Sequence, residues 1–316
     1  MRWLWSLGLI VAASTHAVTE IAPGTWLIPG ATPANAQPDG NSVVIQSNDT
    51  LIVFDTGRHA AHTQQIVDFA KSRAAPIGAI INSHWHLDHV GGNGMLRSQF
   101  MNVRVYASAA YEDALTGFLA RYRGQLEQAI AESDDAAARD SMRAEIGLID
   151  SRWAMEPTYV VGTTGRRTIV GRDLELHLEP NAVTAGDVWV YDPQSRVLLA
   201  GDLVTLPAPF LDTACPKRWR SALVHLETTR FITLVPGHGA PMDHDGLKTY
   251  RKAFNKLLDC AESDAARENC IDGWLLDASS LLPEEADREY ARGALGYYMD
   301  QTLRGHDEQL EELCAR

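Results

Sequence analysis

Between residues 18 and 106 the apolar positions fall in short runs separated by polar and turn-forming residues. Residues 25–28, 42–46 and 51–54 read as strands, residues 62–72 as a helix and residues 77–81 as a further strand. Pro38, Asp39 and Gly40 punctuate one of the gaps. The pattern changes from residue 108 to 154, where the chain is rich in alanine and charge, poor in glycine and helical in spacing. This predicts a helical insertion. Strands resume at residues 159–161, 168–170, 174–178, 188–191, 197–200 and 232–235. After Pro241 the spacing is helical to the end, with Phe254, Leu257 and Leu258 on one buried face. There is no short-period repeat and no low-complexity tract, and the two strand-rich blocks fit the halves of one pseudo-symmetric sandwich.

A chain of 316 residues with 45% hydrophobic content buries a full core. Its formal net charge of −13 argues against a nucleic-acid partner, which needs a basic face. The local basic run Lys217, Arg218 and Arg220 reads as a solvated helix face. At the N-terminus, Arg2 precedes an apolar run over residues 3–13 and small residues at Ala13 and Ala17. That layout predicts a secretory signal over residues 1–17, cleaved after Ala13 or Ala17, too short to span a bilayer. The mature chain is therefore expected to be periplasmic or secreted, with no membrane partner once the signal is removed. Export places Cys215, Cys260, Cys270 and Cys314 where disulfides persist. A local staple between Cys260 and Cys270 is the favoured single pairing, although four cysteines allow three connectivities, and free thiols at Cys215 and Cys314 stay open. Nothing in the pattern fixes the oligomeric state.

The candidate chemistry lies after the apolar run at residues 77–81, in Ser-His-Trp-His-Leu-Asp-His-Val-Gly-Gly over residues 83–92. Imidazole nitrogens suit zinc and related first-row metals, and a neighbouring carboxylate adds a harder oxygen ligand. In an extended segment His84 and His86 point the same way. Asp88 and His89 follow the bend and can face a second ion, and Gly91 and Gly92 permit a tight exit. The expected cofactor is one or two Zn2+ ions, with Fe or Mn as alternatives.

The spacing H-x-H-x-D-H after a strand resembles the metallo-β-lactamase fold superfamily. Three further segments, in the family's order, carry the resemblance from about residue 18 to about residue 244, the helical insertion excepted. Asp55 in Phe-Asp-Thr-Gly resembles the aspartate that supports the metal loop. Asp202 in Ala-Gly-Asp resembles the bridging metal ligand, and His238 in Pro-Gly-His-Gly resembles the histidine of the second metal. The resemblance implies an α/β fold, a four-layer αββα sandwich over residues 18–245 with an insertion at about 108–157 and a helical C-terminal extension over 246–316. It implies His84, His86, Asp88, His89, Asp202 and His238 as metal ligands, and Asp88 as the catalytic residue that orients a metal-bound hydroxide and takes its proton. The small-molecule substrate would carry an ester, lactone, thioester or amide-type bond.

One position departs from the family. Aligned on Thr184, Ala185, Gly186 and Asp187, the third histidine of the first metal site is replaced by Val183, which cannot ligate. His177 sits on the preceding strand and reads as structural. The readings are then a two-metal hydrolase with a weakened first site, a one-metal enzyme using the second site, or a catalytically impaired binding or scaffold protein. A β-lactamase is a further substrate alternative. The lysine of that branch is absent, its place falling near Thr205.

Overall fold

The strand and helix runs read above are realised in a computed structural model that describes residues 18–32, 36–305 and 308–315. The expected signal segment, residues 1–17, lies outside the described residues. The chain divides into two compact units, one of residues up to 162 with 169–172, the other of residues 163–168 with 173 onward.

The first unit is built on a seven-stranded sheet whose strands follow one another in chain order. They are β1 (Thr19–Ala22), β2 (Thr25–Ile28), β3 (Ser42–Ser47), β4 (Thr50–Phe54), β5 (Ile77–Ile81), β6 (Arg104–Ala107) and β7 (Tyr159–Val160). The first four pair antiparallel, and β4 through β7 pair parallel. A parallel pair needs a crossover. Helix α1 (Ala60–Ser72) supplies it between β4 and β5, burying Ile66, Val67 and Ala70 at helical spacing. Between β5 and β6 lie the short α2 (Leu87–Val90) and α3 (Asn93–Gln99). Ile52, Val53, Ile80 and Ile81 have no exposed surface, as expected for strands covered on both faces.

Four helices occupy the stretch between β6 and β7: α4 (Ala110–Thr116), α5 (Phe118–Glu132), α6 (Ala136–Asp150) and α7 (Arg152–Met155). The Asp135 carboxylate caps α6 by accepting from the amides of Ala137 and Ala138. Leu119, Leu126, Met142, Ile149 and Met155 of these helices form a core of their own with Trp85, Leu87 and Val90 of the candidate metal loop.

In the second unit a five-stranded sheet runs in the order β12 (Thr233–His238), β11 (Val197–Thr205), β10 (Asp187–Asp192), β9 (Arg172–Glu179), β8 (Gly165–Ile169). Only β11 and β12 pair parallel among the pairings of β9 to β12. Pro216 starts helix α8 (Pro216–Thr228), which buries Trp219, Ala222, Leu223 and Leu226. Helix α9 (His244–Ala261) buries Phe254, Leu257 and Leu258, the face expected from the spacing. Helices α10 (Arg267–Asp277), α11 (Glu285–Tyr298) and α12 (Glu308–Ala315) follow. Cys260 bonds Cys270, the favoured pairing, and Cys215 bonds Cys314. Those last two are therefore not free thiols. Among the described residues no helix is long and apolar enough to cross a membrane.

Strands β1 and β6 are not singled out by the sequence pattern. Both are short, and they mix exposed polar with apolar residues, Glu20 and Arg104 being exposed. Pairing with a neighbouring strand, not local periodicity, makes them strands.

Candidate metal centre

Strand β5 ends at Ile81, and the next residues carry the four candidate ligands of the first unit. Residues 83–85 bend away from the strand instead of continuing it extended, and the rings of His84 and His86 lie with centroids 4.3 Å apart, edge to face. The chain then bends into α2, which holds Asp88 and His89; the His84 and His89 centroids are also 4.3 Å apart. All four side chains are buried. Sequence spacing thus becomes a convergent cluster.

The Asp55 carboxyl organises two of these rings. It lies at the end of β4 with φ of 55°, a left-handed conformation that aspartate tolerates better than most residues. The amide and the hydroxyl of Ser83 donate to it, each at 2.7 Å, and Nδ1 of His89 lies 2.8 Å from its Oδ2. Ser83 Oγ is also 2.9 Å from Nδ1 of His84. Burial raises the Asp55 carboxyl above its ordinary value, and the charge and donors of His89 and Ser83 pull the other way. An ionised Asp55 can only accept, which puts the hydrogen of His89 on Nδ1 and leaves Nε2 with a lone pair suited to a metal.

The backbone of the loop is pinned as well. The Gly40 amide donates to the Asp88 carbonyl at 2.9 Å, and the Thr56 amide donates to the His89 carbonyl at 2.9 Å. Asn82 adds a side-chain bond to the same His89 carbonyl. Gly40 has no substitute here, since a Cβ would stand 2.6 Å from Cε1 of His89 and 2.9 Å from the Asp88 carbonyl oxygen. Beside it Asp39 accepts from the amides of Arg58 and His59 at 2.7 and 2.8 Å and lies 3.0 Å from Nδ1 of His59. Burial acts to raise the Asp39 carboxyl, yet the hydrogen bonds and charge of His59 and His62 bring it below its ordinary value. Leu87, Val90 and Gly91 also line a cavity of about 330 Å³ with Arg58, Trp153 and Met155.

The remaining candidates belong to the second unit. The parallel register of β11 on β12 sets Gly201 opposite Pro236 and Thr205 opposite His238, which brings Asp202 Oδ1 within 3.8 Å of His238 Nε2. Gly237 makes this approach possible, because a Cβ there would fall 2.0 Å from Asp202 Oδ1. The Thr205 amide donates to the buried Tyr250 hydroxyl at 3.4 Å. Val183 is fully buried in the apolar core with Trp189, Leu211 and Trp219. Its loop is closed by Asp187, which accepts from the amides of Val183 and Thr184 and from the Thr184 hydroxyl. Burial pushes the Asp187 carboxyl up to about 7 against those donors, with the charge of Asp202 adding to the rise. His177 stacks flat on Trp189 with centroids 3.7 Å apart, which fits the structural role expected for it.

Histidines and carboxylates gathered in this way can hold a metal ion. The donor set, imidazole with carboxylate and no thiolate, fits zinc, iron or manganese. Comparison with known proteins decides the family. The model of the "Metallo-beta-lactamase superfamily" matches residues 37–264. The chain belongs to the metallo-β-lactamase superfamily. The chain is 27% identical over 224 residues to a linear primary-alkylsulfatase from Pseudomonas sp. (strain ATCC 19151), covering 63% of this chain and 41% of that protein. It is 26% identical over 203 residues to an (R)-specific secondary-alkylsulfatase from Pseudomonas sp., covering 58% of this chain and 29% of that one. The chain thus spans less than half the length of these relatives. In fold it resembles a metallo-β-lactamase from Pontibacter korlensis, with a TM-score of 0.56, 23% identity and coverage of 76% of this chain and 98% of that one. The α/β architecture with two sheets is that of the superfamily, as the motifs imply.

Sequence reading missed several residues of this neighbourhood. Asp39, Arg58, Tyr122 and Glu145 belong to no motif; Arg58 reaches Asp88 only through folding, Glu145 in turn reaches Arg58, and Tyr122 reaches Glu145. The sole signal was the turn Pro38-Asp39-Gly40, legible as a turn and not as a support.

Proposed function

We propose that this member of the superfamily, a hydrolase by membership, is a metal-dependent enzyme acting on a small-molecule ester-type bond. The observation that carries the reading is the convergence of His84, His86, Asp88 and His89 on one loop, with His89 Nδ1 held 2.8 Å from Asp55. His84 and His86 are proposed to serve one ion and Asp88 and His89 a second, with Asp202 and His238 as further ligands by the family's order of motifs. Bound zinc would supply an acidified water and a Lewis acid for the bond under attack. Asp55, through Ser83 and His89, orients two of the rings. Asp88 is the residue proposed to accept and relay the proton.

Val183 stands where the family places a third histidine for the first group, so that group is proposed to hold its ion more weakly than the second. Hydrolysis is kept in this reading, because three protein ligands still suffice for a catalytic site. The names of the two relatives add sulfate esters to the carboxylic ester, lactone, thioester and amide classes suggested by the sequence. Export to the periplasm or beyond is proposed as well, supported by two disulfides.

The test is a hydrolysis panel on zinc-loaded protein, with an alkyl sulfate, a carboxylic ester, a lactone, a thioester and a β-lactam, and with His84→Ala as control. Turnover of at least one, lost in the control, is expected. Metal binding with no turnover of any would favour the binding-protein reading.

A further inference from the structure

Arg58 follows the turn Asp55-Thr56-Gly57 and precedes α1, and its nearly buried guanidinium reaches two carboxylates. One is Asp88, with Nη2 at 3.5 Å from Oδ1; the other is Glu145 of α6, with Nη1 at 2.5 Å from Oε2. Its Nε donates to the Pro38 carbonyl at 3.2 Å, and its amide donates to Asp39. Glu145 accepts in addition from the Tyr122 hydroxyl of α5 at 3.2 Å. We propose that Arg58 is a positioning residue for Asp88, and that Glu145 and Tyr122 of the helical insertion hold Arg58 in that role. This rests on the reading of the loop as a metal centre.

The two oxygens of Asp88 are engaged differently. Oδ1 faces Arg58, whereas Oδ2 lies 3.4 Å from Nε2 of His89. A guanidinium held on its other side by Glu145 draws Oδ1 of Asp88 toward itself through one ion pair, which turns Oδ2 toward His89 Nε2. Burial works against the charge on Arg58, and the charges of Asp88 and Glu145 more than offset it. Glu145 thus has a reason to be a buried carboxylate beside an apolar core containing Leu126, Met142 and Ile149. An insertion that contributes no ligand would in this way set the geometry of one. Outer partners of metal ligands typically change metal affinity by about ten- to a hundredfold when removed.

The deciding variant is the double substitution Arg58→Met with Glu145→Met. Replacing a buried ion pair by apolar residues of similar volume commonly preserves the fold, whereas removing one partner strands a charge. We expect a circular dichroism spectrum and melting temperature close to wild type, with zinc affinity, measured against a chromophoric chelator, weakened about tenfold. The visible spectrum of the cobalt-substituted protein should shift too, which a merely structural pair would not cause. Should the double variant fail to fold, Arg58→Lys carries the test, since a single ammonium cannot serve both carboxylates in the forked geometry and zinc affinity should again fall. Unchanged zinc affinity and cobalt spectrum in a folded variant would overturn the positioning role while leaving the metal centre standing. A wild-type protein that binds no zinc would overturn both.

Discussion

Nδ1 of His89 lies 2.8 Å from Oδ2 of Asp55, and both side chains are fully buried. That contact, with the two bonds from Ser83 to the same carboxyl, ties the second and first halves of the motif to the residue that follows β4. Asp55→Asn should therefore affect both His84 and His89. The amide cannot accept at both ends, so a buried donor loses its partner, at about 1–3 kcal/mol. Zinc affinity should fall about ten- to a hundredfold. Thermal denaturation with chelator competition checks both expectations.

Two glycines sit against proposed ligands, and a third serves as their control. Gly237→Ala puts a Cβ against Asp202 Oδ1 and against the backbone of Gly201 and Asp202, and Gly40→Ala puts one against His89. Each should cost about 1–3 kcal/mol by overpacking and should weaken zinc binding. Gly124, exposed on α5, has nothing within 4 Å of a built Cβ. Gly124→Ala should stabilise by about 1 kcal/mol through helix propensity, with zinc affinity unchanged. Urea denaturation and zinc titration of the three variants make the comparison.

Val183→His should have opposite effects on the two forms of the protein. An imidazole placed in the apolar core around Trp189 and Leu211 should destabilise the metal-free form by about 1–3 kcal/mol. The same change should raise zinc affinity, because the family places a histidine ligand at this position. Melting temperatures with and without zinc read both terms, and unchanged zinc affinity would contradict the role assigned to this position.

His62 provides a pH dependence. Its Nε2 lies 2.8 Å from the buried Ser42 hydroxyl, and burial lowers its pKa below 6.5, with Asp39 opposing and His59 and His89 adding to the fall. The folded state therefore binds its proton less readily than the unfolded chain. The stability gained is present above 6.5 and is lost as the pH falls through the lower, folded value. Denaturation of the metal-free protein across that range should show the loss, and His62→Gln should flatten it.

The ligand loop was legible because its chemistry is concentrated in adjacent residues, where no spacing through space has to be inferred. Asp202 and His238 were legible only by their order after that loop, and the reason they meet, the parallel register of β11 on β12, is not written in either segment. Arg58 and Glu145 are 87 residues apart, one in a turn and the other one charge among many on an amphipathic helix, and only packing selects them. Strands β1 and β6 went unmarked for a related reason, since a neighbour supplies what their own pattern lacks. The Cys260–Cys270 bond, local in sequence, was foreseeable where the Cys215–Cys314 bond stayed open.

Whether the loop of residues 83–92 holds metal is read straight from elemental analysis of zinc-loaded, dialysed protein. Roughly one to two zinc ions per chain are expected, with the tighter ion lost in Asp88→Ala and in His89→Ala and the weaker one lost in His84→Ala. A wild-type protein that folds and retains close to no zinc would contradict a metal-holding loop.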